Sequence, residues 1–151
     1  MNSPSSARND AARQAWRLMF DILMQTNAGR QESLGRRNLT PNDSRALYTL
    51  DRDEGKAIGA LARQWGCDPS TATWVVDRLE KAGLAERRPS PTDRRVKLVA
   101  LTAQGATTMH DLLAEFHEPP DMLNNLTAAE LETFQALLAK LTKTPADNSF
   151  E

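Results

Sequence analysis

The chain has 151 residues, 40% hydrophobic and 26% charged, with a net charge of −1, enough for one domain with a buried core or one domain with added helices. Its longest unbroken apolar runs, Leu98–Leu101 and Ala136–Ala139, are four residues each, so no membrane span is expected. A single cysteine excludes an intramolecular disulfide and fits a reducing compartment.

Met1–Gln14 is polar and has no apolar h-region, so no secretory leader is expected and the cytoplasm is the expected location. The charge is unevenly divided. Residues 78–97 hold seven Arg/Lys against three Asp/Glu, while residues 110–151 hold two Lys against eight Asp/Glu. That asymmetry puts a basic footprint on one part of the chain and an acidic surface on another.

Met1–Arg8 is rich in Ser and Pro and is expected to fray. From about Ala11, Trp16, Met19, Phe20, Leu23 and Met24 recur at helical spacing, which predicts a long amphipathic helix ending near Asn27–Gly29. Arg30–Asn38 is polar and reads as a loop or a loose helical extension. Thr40 and Pro41 restart a helix as N-cap and first residue, with Leu47 and Leu50 as its core residues. A charged turn, Asp51–Gly55, leads to a short helix defined by Ile58, Leu61, Ala62 and Trp65.

Gly66, Cys67 and Asp68 then turn the chain into a further helix. Asp68 is its N-cap, Pro69 suits its first position, and Gly83 stops it. Ala72, Val75, Val76 and Leu79 form its apolar face, while Ser70, Thr73, Trp74, Asp77 and Lys81 lie opposite, flanked by Thr71 and Arg78. Short hydroxyl side chains with cations further along suit a helix that lies in a DNA groove, hydroxyls near base edges and cations near phosphates. Residues 58–82 therefore read as a helix-turn-helix.

After Gly83 the period becomes extended. Leu84–Arg88 and Arg94–Leu101 read as two strands joined by a turn over residues 89–93. The base of this hairpin is apolar (Val96, Leu98, Val99, Leu101), and its tip carries Arg87, Arg88, Arg94, Arg95 and Lys97. Five residues at about 3.3 Å each carry such a tip roughly 16 Å, close to half of a DNA turn of about 34 Å. A groove-reading helix followed by a basic arm is a winged helix-turn-helix.

Beyond the wing, Thr102 caps a helix with Met109, Leu112, Leu113 and Phe116 on one face, stopped by Pro119 and Pro120. Thr127 and Glu130 have capping-box spacing and open a last helix with Leu131, Phe134, Leu137, Leu138 and Leu141. Both ends of the chain thus carry wide apolar stripes, whereas residues 39–101 have apolar positions enough for a core of their own. A second copy of the chain is the simple cover for such helices; a somewhat larger monomer core is the alternative. The expected fold is mainly α with a small β-wing. Its parts are an N-terminal dimerisation helix and loop (1–38), a winged lobe (39–101), C-terminal dimerisation helices (102–144) and a disordered tail (145–151).

The residues from Leu39 and Thr40, through Ile58 and Leu61 to Arg63, then Val76–Leu84, Arg87–Pro89 and Asp93–Thr102 to Gly105 resemble the MarR family of transcription regulators. The most specific element is Asp93-x-Arg95 followed by Leu101-Thr102-x-x-Gly105. The resemblance covers roughly Ala11 to Leu141. It implies a homodimer built from the terminal helices, with recognition helices in successive major grooves of a pseudo-palindromic DNA site. It also implies wing arginines in the flanking minor grooves, Arg95 matching the family's minor-groove arginine and Asp93 the acid that helps to position it. The family's peroxide-sensing branch places a reactive cysteine in the first helix, where this chain has none. The resemblance further implies a cleft for small aromatic or phenolic effectors, for which Trp16, Met19, Phe20, Met24 and Tyr48 are the candidates; those on the first helix serve equally well as dimer core.

The candidate DNA-contacting residues are Ser70, Thr71, Thr73, Trp74 and Arg78 on the helix and Arg88, Asp93, Arg94, Arg95 and Lys97 on the wing. Trp74 is large for a base-reading position and has packing on the wing or stacking on a sugar as alternatives. Cys67 precedes a helix N-terminus, where a thiolate is stabilised, but no His is near in sequence; packing is its expected role and redox sensing the alternative. His110 and His117 are seven apart, about 10.5 Å along a helix, too far for one metal ion without other ligands. The seven glycines are isolated and neither HExxH nor GxSxG occurs, so no cofactor, metal or enzymatic activity is expected. The expected function is a DNA-binding repressor released by a small ligand; a winged helix used as a protein-interaction module, without a ligand switch, is the alternative.

Overall fold

In the computed structural model, residues 4–142 are described. The helix α1 spans Pro4–Gln25, so it begins well inside the segment expected to fray. Thr26 interrupts it, and α2 (Asn27–Arg36) follows as a regular helix with Ser33 and Leu34 buried. The polar composition of residues 30–38 concealed this, because a single buried leucine leaves no periodic stripe. The tail expected to be disordered lies outside the described residues.

The helix α3 (Pro41–Leu47) starts where its cap residues place it. The Thr40 hydroxyl accepts from the Asp43 backbone N–H, and the Asp43 carboxylate accepts from Thr40 N in return. Leu47 and Leu50 are buried in the core. In the charged turn the Asp51 carboxylate accepts from the N–H groups of Asp53 and Glu54, at 2.7 and 2.8 Å. A two-residue strand, β1 (Lys56–Ala57), then leads into α4 (Ile58–Trp65). Gly66 takes the left-handed conformation at the end of α4, and Asp68 caps α5 (Pro69–Lys81) through the Thr71 N–H. Ala72, Val75, Val76 and Leu79 are all buried.

Gly83 (φ +74°) ends the next turn, and β2 (Ala85–Pro89) and β3 (Lys97–Leu101) form the wing. With β1 they make an antiparallel sheet of order β1-β3-β2, in which Lys56 faces Val99 and Arg87 faces Val99 from the other side. The third strand is too short to show any period in sequence. The strand expected from Arg94 begins only at Lys97. The reason is a local turn: the Asp93 carboxylate accepts from Arg95 N (2.9 Å) and its carbonyl from Val96 N (3.0 Å), while Ser90 N donates to the Val96 carbonyl (2.9 Å). Val96, expected at the apolar base, is consequently exposed.

The helix α6 (Ala103–Phe116) is capped by Thr102, whose hydroxyl accepts from Gly105 N and donates to the Gly83 carbonyl. Gly105 matters for space: a Cβ there would stand 1.9 Å from the Leu84 carbonyl oxygen. Leu112 of α6 is fully buried among Leu47, Leu61, Val76, Leu79 and Val99, with Leu34 of α2 in the same cluster. Glu115 of α6 binds Arg37 (2.6 Å) and Arg36 (2.8 Å) and accepts from the Ser33 hydroxyl. These partners, Arg37 first and then Ser33, hold its carboxyl down at about 2.

The chain divides into two compact units at His117/Glu118. The second contains a 3₁₀ turn (Asp121–Asn125) and α7 (Ala128–Thr142), opened by the Thr127/Glu130 capping box. Leu131, Phe134, Leu137 and Leu141 of α7 are exposed, as are Trp16, Phe20, Leu23 and Met24 of α1. Among the described residues no helix is long and apolar enough to cross a membrane.

Gly105→Ala should destabilise the fold severely, because backbone must move to admit the methyl group. Gly35→Ala, in α2 with nothing within 4 Å of the new Cβ, should be neutral or stabilising by up to about 1 kcal/mol; thermal unfolding of the pair distinguishes them. The Glu115 cluster fixes a pH window. Because its folded pKa lies below its unfolded value, its contribution is present above about pH 4.5 and disappears as the pH falls to about 2. Glu115→Gln should flatten acid unfolding in that interval.

Candidate nucleic-acid interface

The exposed face of α5 is built by its own cap. Asp68 accepts from the hydroxyl of Ser70 and from both the N–H and hydroxyl of Thr71, each at 2.9 Å for Thr71. These bonds, Ser70 first, hold the Asp68 carboxyl far below the usual carboxylate range. The Thr73 hydroxyl donates back to the Pro69 carbonyl at 2.8 Å. The three hydroxyls expected to meet base edges have thus committed their protons within the helix. What the hydroxyls have left to offer a partner is acceptor lone pairs.

Trp74 is 54% exposed, and the Arg78 guanidinium carbon stands 5.2 Å from its ring centroid. This stacking settles which neighbour the indole has in the free protein. Arg78 in turn grips Asp43 with two bonds, Nε to Oδ1 at 3.2 Å and Nη2 to Oδ2 at 2.8 Å. Asp43 is fully buried. Burial pushes its carboxyl up, but the Arg78 and Thr40 bonds outweigh that and hold it below its ordinary value. Arg78 therefore faces inward to α3 as much as outward. Sequence reading missed Asp43, whose one visible signal was its position three residues after Thr40, the capping-box spacing; its partner is 35 residues away.

The wing divides its cations in the same manner. Arg87 does not sit at the tip: its guanidinium binds Asp77 at 2.7 Å and Glu80, and its N–H donates to Glu80 at 2.8 Å. Arg88 donates to the Asp53 carbonyl. Arg94, Arg95 and Lys97 are exposed, and among the described residues none of the three enters an ion pair. The Asp93 carboxylate orders the backbone of Arg95 rather than its guanidinium.

The residues proposed for an effector are less concentrated. Trp16, Met19, Phe20 and Met24 lie exposed on one stretch of α1. Tyr48 is engaged edge-on with Phe116, ring centroids 6.5 Å apart, and burial raises its phenol pKa. A cavity of about 80 Å³ opens elsewhere, lined by Asn42, Arg45, Trp65, Cys67, Thr71 and Val75. Among the described residues no group of three His, Cys, Asp or Glu side chains is placed to hold a metal ion.

A capped helix with an exposed polar face, followed by a hairpin whose tip holds three unpaired cations, defines the class of winged helix-turn-helix proteins. The model of the MarR family matches residues 39–97. The chain is similar to two HTH-type transcriptional regulators of Bacillus subtilis. It is 29% identical to YcgE over 140 residues, 91% of this chain and 90% of that one, and 30% identical to YsmB over 112 residues, 74% and 77%. The crystal structure of B. subtilis YusO superposes with a TM-score of 0.73 at 26% identity, covering 89% of this chain and 97% of that one. The chain belongs to the MarR family, whose members are DNA-binding transcription regulators and not enzymes.

Proposed function

We propose that this regulator is a homodimeric repressor that binds a pseudo-palindromic duplex and is released by a small aromatic ligand. The observation that carries the reading is the pairing of the exposed α5 face with the uncommitted cations Arg94, Arg95 and Lys97 at the wing tip. In this reading α5 lies in the major groove and Arg95 enters the flanking minor groove, where an arginine meets the most negative potential. Residues 39–101 serve as the DNA-binding lobe, while 1–38 and 102–144 serve as dimerisation segments.

Affinity should fall steeply with salt, since each phosphate contact releases a counterion and contributes a slope of about −0.9. Arg95→Ala should weaken binding by about 1–3 kcal/mol. Gel shifts without salt dependence, with Arg95→Ala binding as well as wild type, would overturn the reading. Ligand control belongs to the same titration. A salicylate-like aromatic acid that favours a lobe spacing unsuited to successive grooves should lower DNA affinity about 5- to 150-fold, and DNA must weaken its binding by the same factor. Equal ligand affinity for free and DNA-bound protein would remove the switch and leave a constitutive regulator.

Dimerisation is supported by the apolar stripes left open on α1 and α7, where Trp16 is 67% and Leu141 68% exposed. A second copy covers such stripes by symmetry and sets two recognition helices about 34 Å apart, matching half-sites roughly 10 bp apart. Phe134→Asp or Leu138→Asp should yield monomers, because either places an unpaired charge in the contact. Sedimentation of the wild type as a monomer at micromolar concentration would refute the assembly.

A further inference from the structure

At about 100° per residue, Ser70, Trp74, Asp77 and Lys81 fall within about 40° of the direction opposite the buried stripe of α5. These are the side chains that point straight outward. The Ser70 hydroxyl donates its hydrogen bond to Asp68, and the Asp77 carboxylate is held by Arg87. The Thr71 and Thr73 hydroxyls beside them are likewise used as donors. Between the committed Ser70 and Asp77 the face presents the 54% exposed indole of Trp74, with Lys81 toward its C-terminal end.

The ring is also held in place. Arg78, one turn along, lies over it, and Arg78 is fixed by two bonds to a fully buried carboxylate. A side chain ordered before binding loses less conformational entropy on binding. Direct readout in the major groove offers one apolar feature to such a surface, the C5 methyl group of thymine. We propose that Trp74, braced by Arg78 and Asp43, reads a thymine C5 methyl group in the major groove. The inference rests on the DNA-binding reading above and adds what the helix selects.

The test begins with duplexes selected from a random pool by the full-length protein. Each thymine of one half-site is then replaced by uracil, which removes only the methyl group. In the wild type one position should lose about fourfold in affinity, the value of one buried methyl group. Trp74→Ala, at an exposed position, should bind more weakly overall and show no thymine preference at that position. Asp43→Asn, checked by circular dichroism to be folded, should reduce the thymine-to-uracil ratio toward one. Should that variant fail to fold, Arg78→Lys serves instead, since an ammonium neither brackets a carboxylate nor lies flat on an indole.

A uracil scan that is flat in the wild type overturns the proposal, as does a thymine preference retained in Trp74→Ala. A folded Asp43→Asn with the wild-type ratio removes the bracing role. If the pool yields no bound sequence at all, the DNA-binding reading fails and this inference falls with it, an outcome distinct from binding with no methyl dependence.

Discussion

Asp43 has no solvent around it, so its negative charge has to be balanced from inside the protein. Arg78 supplies the opposite charge through two bonds, and the Thr40 hydroxyl and backbone N–H supply the rest. Losing any of them would leave lone pairs of a buried carboxylate unsatisfied, which low-polarity surroundings penalise heavily. The pair therefore admits one relative placement of α3 and α5. Since Arg78 also lies on Trp74, that single constraint extends from the core to the outermost ring of the recognition face. Arg78 keeps about a third of its side chain in solvent, and removing it would leave the Asp43 charge uncompensated in the core.

The same logic accounts for a protein of net charge −1 that belongs to a DNA-binding family. Its basic stretch is not a uniform cationic patch. Arg78, Arg87 and Arg88 are consumed by Asp43, by Asp77 and Glu80, and by the Asp53 carbonyl, and they hold the lobe together. Arg94, Arg95 and Lys97 remain for solvent or for phosphate. The one carboxylate beside them, Asp93, is engaged with the Arg95 backbone N–H, and Arg94, Arg95 and Lys97 stay exposed on the wing.

The approach of α6 to the sheet follows from an absence of side chain. Gly105 lets the first turn of α6 come against the Leu84 carbonyl, while Thr102 ties the same turn to Gly83. That contact seats Leu112 in the core of the lobe. The winged lobe therefore shares its packing with α6 and with Leu34 of α2, and the core is wider than the stretch 39–101 alone.

Much of this was readable from the chain. The caps at Thr40, Asp68, Thr102 and Thr127, the apolar stripe of α5 and the change of period after Gly83 are local signals, produced by residues a few positions apart, and local chemistry decides them. The outlying apolar stripes of α1 and α7 were legible for the same reason. Other features depended on partners distant in sequence. No window of residues could show that Arg78 pairs with Asp43 or that Arg87 turns back to α5. Nor could one show that the two residues of β1 complete the sheet, or that Glu115 gathers Arg36, Arg37 and Ser33. Composition marks all those arginines as equally cationic. Only the fold, by bringing a carboxylate within 3 Å of Arg37, Arg78 and Arg87 and a backbone carbonyl to Arg88, decided which are structural; among the described residues Arg94 and Arg95 enter no ion pair.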